Sequence, residues 1–338
     1  MQRNLLANLA LAIAVSAAGS GVPVQAQPAS GPQAVEQTKQ HVVVRFTWKL
    51  KGEYAPLFVA LDKGYYAQEG LDVELAEGSG AETVVKMVGL GTDKIAYGPA
   101  TVGAEAVDKA LPAEVVAVYQ TQVPIAVVSF PGVPLKTPRD LEGHTLGVSI
   151  GETFANLVEP FERINKLDPS KIKVIQMNSS ARTSQFMSRK IDFMSLYLTN
   201  EMPLFEKQAG VKFNVLKISD FGLKLMGAAF LVNKDYAEAH ASTLEKLLRA
   251  TARGYADAKR DYKGAAAIMA KHMTLKIDPD VLDQQVKATM DSLSEIPGKP
   301  LGWQTTADWN SNLGLLKAGH VVSQIKDLHL YYTNAYLH

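Results

Sequence analysis

The chain has 338 residues, which exceeds the size of one ordinary hydrophobic core and predicts two domains. Hydrophobic residues make up 47% of the sequence and charged residues 20%, the balance of a soluble globular protein. Cysteine is absent, which excludes a disulfide framework, a thiolate metal site and a cysteine nucleophile.

The amino-terminal segment has the pattern of a secretory signal peptide. Arg3 precedes an uncharged apolar run, Leu5–Ala18, and a small-residue cleavage site ends at Ala26. The apolar run is too short to span a bilayer, so a membrane anchor is the weaker interpretation. We therefore predict a signal peptide over residues 1–26 and a flexible leader over residues 27–40, which are rich in Gln, Pro, Ala and Ser. Export without cysteines favours the bacterial periplasm.

Cleavage after Ala26 would leave a formally neutral protein. It removes one cation and no acid, so Lys plus Arg falls from 35 to 34 against 34 Asp plus Glu. This balance argues against nucleic acid or an anionic membrane surface as the main partner, because both require an excess of positive charge.

The first regular elements after the leader form a βαβ unit. The unit comprises a strand over Val42–Phe46, a helix over Pro56–Glu69 that ends at Gly70, and a strand over Leu71–Leu75. Such units bind ligands at the loop between strand and helix. Trp48 and Tyr54 lie in or beside that loop and are the first candidate ligand contacts, although Trp48 packing within the lobe is an alternative.

Strands and helices continue to alternate along the chain. Strands are predicted at Ile95–Gly98, Glu114–Tyr119, Ile125–Phe130, Thr145–Ile150, Ile172–Met177, Phe193–Leu198, Val211–Ile218 and Phe230–Asn233. Helices are predicted at Glu82–Met87, Gly151–Ile164, Ala181–Ser188, Ser242–Asp261, Lys263–Met273, Pro279–Ser292, Asp308–Ala318 and Val321–Asp327. Two further helices are predicted: one follows the turn Pro99–Gly103 and runs through about Lys109, and one ends near Lys207. This alternation predicts a doubly wound α/β architecture.

A weak internal repeat is consistent with two similar lobes. Val84–Thr101 and Ser184–Asn200 each contain a helix with a central Met, a Lys-Ile pair, a strand and a turn. Short matches of this kind also arise by chance, so the repeat leaves both interpretations open.

Five separated segments carry a family resemblance. They are APLFVALDKGYYAQEGLDVEL, VGLGTDKIAYG, LEGHTLGVSIG at Leu141–Gly151, RKIDF at Arg189–Phe193 and YYTNAYL at Tyr331–Leu337. Together they resemble the NMT1/THI5-like periplasmic substrate-binding proteins, a family that includes thiamine-pyrimidine, riboflavin and alkanesulfonate binders. The likeness extends from Val42 to Leu337.

The resemblance implies an α/β bilobal clamshell of the type II periplasmic-binding-protein class, with two doubly wound sheets joined by two crossing strands. One lobe would comprise residues 42–130 plus 227–338, and the other residues 134–222. It implies a monomeric receptor that closes by hinge motion on a small-molecule ligand and presents it to the permease subunits of an ABC importer.

The same fold includes an enzyme, a yeast-type pyrimidine synthase that uses pyridoxal phosphate and iron. The resemblance aligns its cofactor lysine with Ala100 and its nearby histidine with Ala104, and its cysteine-rich run has no counterpart here. A Schiff base requires an amine and a metal site requires donor atoms. The seven histidines are scattered, and no HExxH, GxSxG or P-loop occurs. We therefore expect a non-enzyme without catalytic residues, cofactor or metal.

In such a fold, ligands lie at the carboxyl ends of strands and the first turns of the following helices. Beyond Trp48 and Tyr54, the candidates at these junctions are Ala100, Thr101, Gln122, Gly151, Glu152 and Thr153. The exposed N–H groups expected where a helix opens at 151–153 suit an anionic or carbonyl oxygen. Alternatively, Thr153 serves only as an internal cap, and Asn178 is expected to do the same for its helix.

The last junction, Tyr197, Asn200 and Glu201, resembles binders of amino-bearing pyrimidines, which also place aromatic and acidic groups at this turn. A carboxylate can accept hydrogen bonds from an exocyclic amine, whereas the alternative for Glu201 is a favourable position in the first turn of a helix. Arg182, one turn into its helix, is the arginine nearest to these openings. Anion binders generally use an arginine or lysine fork, so the set favours a flat, nitrogen-containing, neutral or weakly cationic ligand. An anionic alkanesulfonate-like ligand is the alternative.

Overall fold

Alternating strands and helices build two five-stranded sheets in the computed structural model, which describes residues 39–338. The strands are β1 (Gln40–Phe46), β2 (Leu71–Ala76), β3 (Ile95–Pro99), β4 (Ala113–Val118), β5 (Ile125–Ser129), β6 (Thr145–Ser149), β7 (Lys173–Met177), β8 (Phe193–Tyr197), β9 (Asn214–Lys217) and β10 (Ala228–Asn233). The sheet orders are β2-β1-β3-β10-β4 and β7-β6-β8-β5-β9. The predicted signal peptide and nearly all of the predicted leader lie outside the described residues.

Helices connect and cover the strands. They are α1 (Ala55–Asp62), α2 (Tyr65–Gln68), α3 (Ala81–Gly89), α4 (Thr101–Asp108), α5 (Val158–Ile164), α6 (Ser179–Met187), α7 (Glu201–Ala209), α8 (Lys234–Ala239), α9 (Ala241–Arg260), α10 (Tyr262–His272), α11 (Pro279–Asp291) and α12 (Thr306–Ala318). Among residues 39–338, no helix is both long and apolar enough to cross a membrane.

The two sheets share one topology. In each sheet three strands are parallel, with β1 between β2 and β3 in the first and β6 between β7 and β8 in the second. The fourth strand is β10 in the first sheet and β5 in the second, and it runs antiparallel to its parallel neighbour. In each case the strand that precedes it along the chain belongs to the other sheet. The segments Val84–Thr101 and Ser184–Asn200 hold α3–β3 and α6–β8, which occupy equivalent positions, so the repeated pattern corresponds to equivalent parts of two lobes. The α/β two-lobe fold is confirmed.

The boundary expected after residue 130 is too late. β5 pairs with β8 and β9, so it belongs to the second sheet and not to the first lobe. The apolar run that ends at Phe130 does not indicate which sheet it joins, because β4 and β10 of the first sheet are almost entirely buried, as are β5 and β8 of the second. The chain crosses at 119–124 and returns at 218–227. These segments hydrogen-bond to each other: Gly227 N–H donates to Gln120 O (2.7 Å), and Val123 N–H donates to Leu225 O (2.6 Å).

Three expected helices also differ from the structure. Pro56–Glu69 is divided into α1 and α2 because Gly64 adopts a left-handed conformation (φ 71°) between them. The helix expected from Gly151 begins only at the 3-10 turn Ala155–Leu157 and continues as α5. Residues 321–327 are not helical, and two of their N–H groups bond to side chains outside the segment: Ser323 N–H to Asp108 (2.9 Å) and Lys326 N–H to the Tyr331 hydroxyl (2.9 Å).

The apolar core of residues 39–338 consists of three buried clusters, of which the smallest, around Phe186 and Met194, lies within the second lobe. One buried cluster fills a face of the first sheet and includes the long helix α9 through Leu244, Leu247 and Leu248. A second cluster is continuous from the first lobe through the crossing into the second lobe, and it contains α12 through Trp309 and Leu313. Trp309 is fully buried there (0% exposed). On the side of α12, the lobes are therefore joined by apolar packing.

Candidate functional site

The two aromatic residues of the first junction have different environments. Tyr54 is 1% exposed and stacks on Phe46 with ring centroids 4.0 Å apart. Burial is the main cause that raises the Tyr54 pKa well above its ordinary value. Trp48 is 54% exposed, and its carbonyl accepts the Gly78 N–H at 3.2 Å. The indole is therefore available at the surface, whereas Tyr54 forms part of the aromatic floor of the first lobe.

Ala100 and Thr101 lie inside the first lobe rather than on its surface. They are 1% and 5% exposed, and the Ala100 N–H donates to the Gly227 carbonyl at 2.7 Å. Ala104, one turn further along α4, is also buried. The positions aligned with the enzyme's lysine and histidine are thus packed methyl groups without an ionisable atom.

Gln122 is separated from the other candidates. It is exposed in the first crossing segment and lines a groove of about 450 Å³ together with Ser292, Ser294 and Lys217. The other candidate residues do not line this groove.

A buried arginine organises the second-lobe candidates. The side chain of Arg182 is 2% exposed, and its Nη1 donates to Glu152 Oε2 at 2.6 Å while its Nη2 donates to Glu201 Oε1. Ser195 bridges the cluster, because its hydroxyl donates to Glu152 and lies 3.4 Å from Arg182 Nη1. We call Glu152, Arg182, Ser195 and Glu201 the Arg182 cluster.

This cluster explains what Gly151, Glu152 and Thr153 do. Glu152 precedes the helical turn and directs its carboxylate inward, so the three residues do not form the exposed helix opening expected from the sequence. Burial raises the Glu152 pKa, and the attraction of Arg182 opposes that rise. Gly151 remains exposed, and Thr153 Oγ1 lies 3.5 Å from the Tyr197 hydroxyl.

Glu201 lies in the first turn of α7, as the alternative interpretation expects, and both of its carboxylate oxygens are bound within the second lobe. One carboxylate oxygen accepts from Arg182, and the other accepts the Tyr197 N–H at 2.9 Å. Its side chain is 24% exposed, so one edge still faces solvent. Asn178 caps α6 through the Ala181 N–H (2.8 Å), as expected.

The last junction meets the first across the two lobes. Asn200 Nδ2 donates to Glu53 Oε2 at 2.5 Å, and Glu53 pairs with Lys51 at 2.8 Å. The Lys51 ammonium lies 5.7 Å from the Tyr54 ring centroid and 6.0 Å from that of Tyr197. We call this meeting of residues 51–54 with residues 197–201 the interlobe junction; it brings together Tyr54, Tyr197, Asn200 and Glu201 with the Arg182 cluster.

Sequence reasoning misses Arg182, Glu53 and Lys51 as parts of this arrangement. Arg182 lies one turn into α6, which makes it seem remote from the strand ends. Side chains on a helix point back toward its amino terminus, so a long arginine at this position can reach the carboxyl ends of β6 and β8. That geometric signal was available in the sequence; the partner acids, 30 and 19 residues away, were not identifiable from spacing.

Four buried polar atoms of the second lobe have no hydrogen-bond partner within residues 39–338. They are Ser149 Oγ, Arg182 Nε, Thr199 Oγ1 and Asn200 Oδ1. Three of the four belong to residues that end or follow β6 and β8, where ligands bind in open α/β sheets. In the described part of the chain, residues 39–338, no group of three or more His, Cys, Asp or Glu side chains is placed so that it could hold a metal ion.

Residues 51–265 match the family described as NMT1/THI5 like. The chain belongs to the NMT1/THI5-like family. A riboflavin-binding protein, RibY of Chloroflexus aurantiacus, is 24% identical over 100% of this chain and 99% of its own. A formylaminopyrimidine-binding protein of Halalkalibacterium halodurans is 22% identical over 87% of this chain and 88% of its own.

Two further matches are a relative that aligns with less than half of the chain and a solved structure that resembles it in fold. A 4-amino-5-hydroxymethyl-2-methylpyrimidine phosphate synthase of Legionella pneumophila is 23% identical, but over only 43% of this chain and 45% of its own. The periplasmic aliphatic sulphonate binding protein SsuA of Escherichia coli superimposes with a TM-score of 0.69 at 16% identity, over 86% of this chain and 91% of its own. This last likeness concerns the fold.

Proposed function

We propose that this chain is the solute receptor of an ABC importer and that it binds a small aromatic or nitrogen-heterocyclic nutrient, of pyrimidine-like chemistry, between its lobes. The observation that carries the proposal is the interlobe junction, which brings two tyrosines and an excess of acidic groups together at the carboxyl ends of strands. A flat ring can stack on phenol faces, and ring nitrogens or an exocyclic amine can donate to carboxylates.

The charge of the junction favours a neutral or weakly cationic ligand. Its ionisable groups are two cations, Lys51 and Arg182, and three acids, Glu53, Glu152 and Glu201, which sum to −1. Both cations are already paired with carboxylates. A sulfonate would have to displace one of these pairs, at the expense of leaving a buried acid unpartnered. The junction therefore supports the heterocyclic ligand over the alkanesulfonate-like alternative.

The relatives support the same class of ligand. The two that align along most of their length are named for riboflavin and for formylaminopyrimidine, both flat nitrogen heterocycles. The relative named as a synthase aligns over less than half of this chain, and the lysine and histidine positions of such an enzyme are occupied here by buried Ala100 and Ala104. We accordingly propose binding without chemical conversion.

Hinge motion follows from the direct contact between the lobes. Asn200 and Glu53 touch across the interlobe junction, so a ligand must enter after the lobes separate. A ligand that contacts both lobes then favours the closed state by its differential affinity for it. The two crossing segments, 119–124 and 218–227, are the natural hinge because they are where the chain connects the two sheets.

A ligand panel on the purified mature protein tests the proposal. Thermal shift is measured with riboflavin, a 4-aminopyrimidine and an alkanesulfonate, and each positive is titrated by calorimetry. We expect stabilisation by at least one heterocycle and none by the sulfonate; a response to the sulfonate alone would overturn the ligand class. Chromatography of the ligand after incubation is expected to return it unchanged.

Localisation in the periplasm is part of the same proposal. It rests on the predicted signal peptide and on the periplasmic relatives. Mass spectrometry of the exported protein should show an amino terminus at Gln27, and retention of residues 1–26 in the cytoplasm would contradict it.

A further inference from the structure

Helix α11 contacts both lobes. Its Leu282, Val286 and Met290 recur at i, i+4 and i+8 and are buried in the first-lobe core, which fixes the helix to that lobe. Gln285 lies on another face of the helix and is 4% exposed. Its Oε1 accepts the Gly52 N–H at 3.1 Å, and its Nε2 donates to the Asn200 carbonyl at 2.9 Å. One amide group thus holds both sides of the interlobe junction.

The fit around Gln285 is close. A Cβ atom on Gly52 would lie 2.5 Å from Gln285 Cβ, so the approach of helix to loop requires glycine there. The same loop supplies Glu53, whose carboxylate accepts from the Asn200 side chain. Asn200 is therefore held by its carbonyl through Gln285 and by its amide through Glu53.

The amino terminus of α11 makes a second connection to the other lobe. Lys207 of α7 lies 2.5 Å from Asp278, the N-cap residue of α11, and 3.4 Å from Asp280. After its carboxyl end, Ser292 and Ser294 bond to the first crossing segment, through Gln120 Nε2 (2.7 Å) and Thr121 N–H (2.9 Å). The helix thus bonds to the second lobe at one end and, through the loop after its other end, to the hinge.

Grooves flank these contacts. A cavity of about 490 Å³ separates parts of α7 and α11, and the groove of about 450 Å³ continues from it at Leu198, Ala288 and Asp291. Packing between α11 and the second lobe is therefore incomplete, in contrast to the continuous apolar core on the side of α12. On the side of α11, individual polar contacts therefore supply much of the interaction that keeps the two lobes together.

We propose that α11 is the element that holds the lobes closed, with Gln285 as a positioning residue and the Lys207–Asp278 pair as a second latch. This inference rests on the two-lobed closure of the proposed function but not on the identity of the ligand. Gln285 acts through Asn200 and the Gly52 loop. Its hydrogen bond to the second lobe exists only while the lobes are together, so it biases the open–closed equilibrium before any ligand binds.

The test measures closure in the unliganded protein. The chain has no cysteine, so Thr92→Cys in the first lobe and Lys190→Cys in the second, both exposed, accept spin labels at defined positions. Pulsed-EPR distance distributions are compared for Gln285→Met and for Gln208→Met, which replaces an exposed glutamine of α7 that lines neither groove. We expect Gln285→Met to lower the closed-to-open ratio about three- to tenfold, the loss of one buried hydrogen bond, and Gln208→Met to leave it unchanged.

A second pair of variants keeps the proposal falsifiable if Gln285→Met fails to fold. Lys207→Met breaks the interlobe ion pair, whereas Lys86→Met breaks an exposed pair with Glu82 within the first lobe, away from both grooves. The first is expected to lower the closed-to-open ratio about twofold, as for a half-exposed pair, and the second to have no effect. Distances in Gln285→Met and Lys207→Met that match those of their controls would overturn the role of α11. Because no ligand is present, that outcome is distinct from a failure of the ligand panel.

Discussion

Replacing Arg182 by methionine tests the electrostatic account of the second lobe. The substitution keeps the length of the aliphatic stem but leaves Glu152 and Glu201 without their shared cation. Removing one partner of a buried ion pair generally costs about 3–5 kcal/mol. Glu201 is 24% exposed, so water can solvate part of its charge, and we expect the lower end, about 3 kcal/mol.

The same variant should have a distinctive pH dependence. Burial already raises the Glu152 pKa above 4.5, and the attraction of Arg182 holds that rise back. Without Arg182 the pKa rises further, so the folded state binds more protons than the unfolded state above pH 4.5. Stability then falls as pH increases from 4.5 through the raised pKa. The deficit of Arg182→Met relative to the parent protein should therefore be smaller at pH 5 than at pH 7.5.

Urea denaturation followed by circular dichroism measures both effects. The matched control is Arg163→Met, which breaks an exposed i,i+4 pair with Glu159 on α5 and should cost less than about 0.5 kcal/mol. A cost for Arg182→Met no larger than that of the control would refute the cluster as a stabilising unit. A deficit equal at both pH values would refute the assignment to buried carboxylates.

Three further substitutions probe other parts of the chain. Trp48→Ala should weaken binding of an aromatic ligand about two- to tenfold by calorimetry, yet leave the unliganded melting temperature unchanged because the indole is 54% exposed. Glu201→Ala should lower both affinity and the unliganded melting temperature, since it also removes a partner of the buried arginine; an unchanged melting temperature would contradict this. Hydrogen bonds from Lys63 and Tyr65 lower the Asp257 pKa to about 2, so its contribution is present above pH 3.8 and lost as pH falls toward 2. Asp257→Asn should lower the free energy of unfolding by about 1–2 kcal/mol at pH 7, measured by urea denaturation. It should also weaken the loss of stability that the parent protein shows as pH falls below 3.8.

If these expectations hold, the Arg182 cluster both stabilises the second lobe and sets the charge of the interlobe junction. Arg182 stabilises the carboxyl ends of β6 and β8, and its two carboxylates give the interlobe junction its negative balance. A mutation that alters ligand preference there would then also alter stability. Screens for ligand specificity should accordingly measure the unliganded protein as well.

The sequence by itself determined most of the elements, the α/β class and the family. β-branched runs such as Val42–Phe46 and the strongly periodic α9 are local patterns, and local patterns are what propensity and periodicity report. The five family segments likewise reside in contiguous sequence. The sequence also placed Tyr197, Asn200 and Glu201 at one strand–helix turn, because chain order alone fixes where a strand ends.

Only the tertiary structure decided which residues meet. Pairing of β5 with the second sheet, the exclusion of Gln122 from the interlobe junction and the pairing of Arg182 with two distant acids depend on contacts between separated segments. Gln285 lies 233 residues from Gly52 and 85 from Asn200. No local pattern encodes such distances, because they arise from the packing of whole helices against two sheets. The local sequence therefore reveals the aromatic and acidic residue types of the candidate site. The net charge of the site and the contacts that close it depend on the tertiary structure.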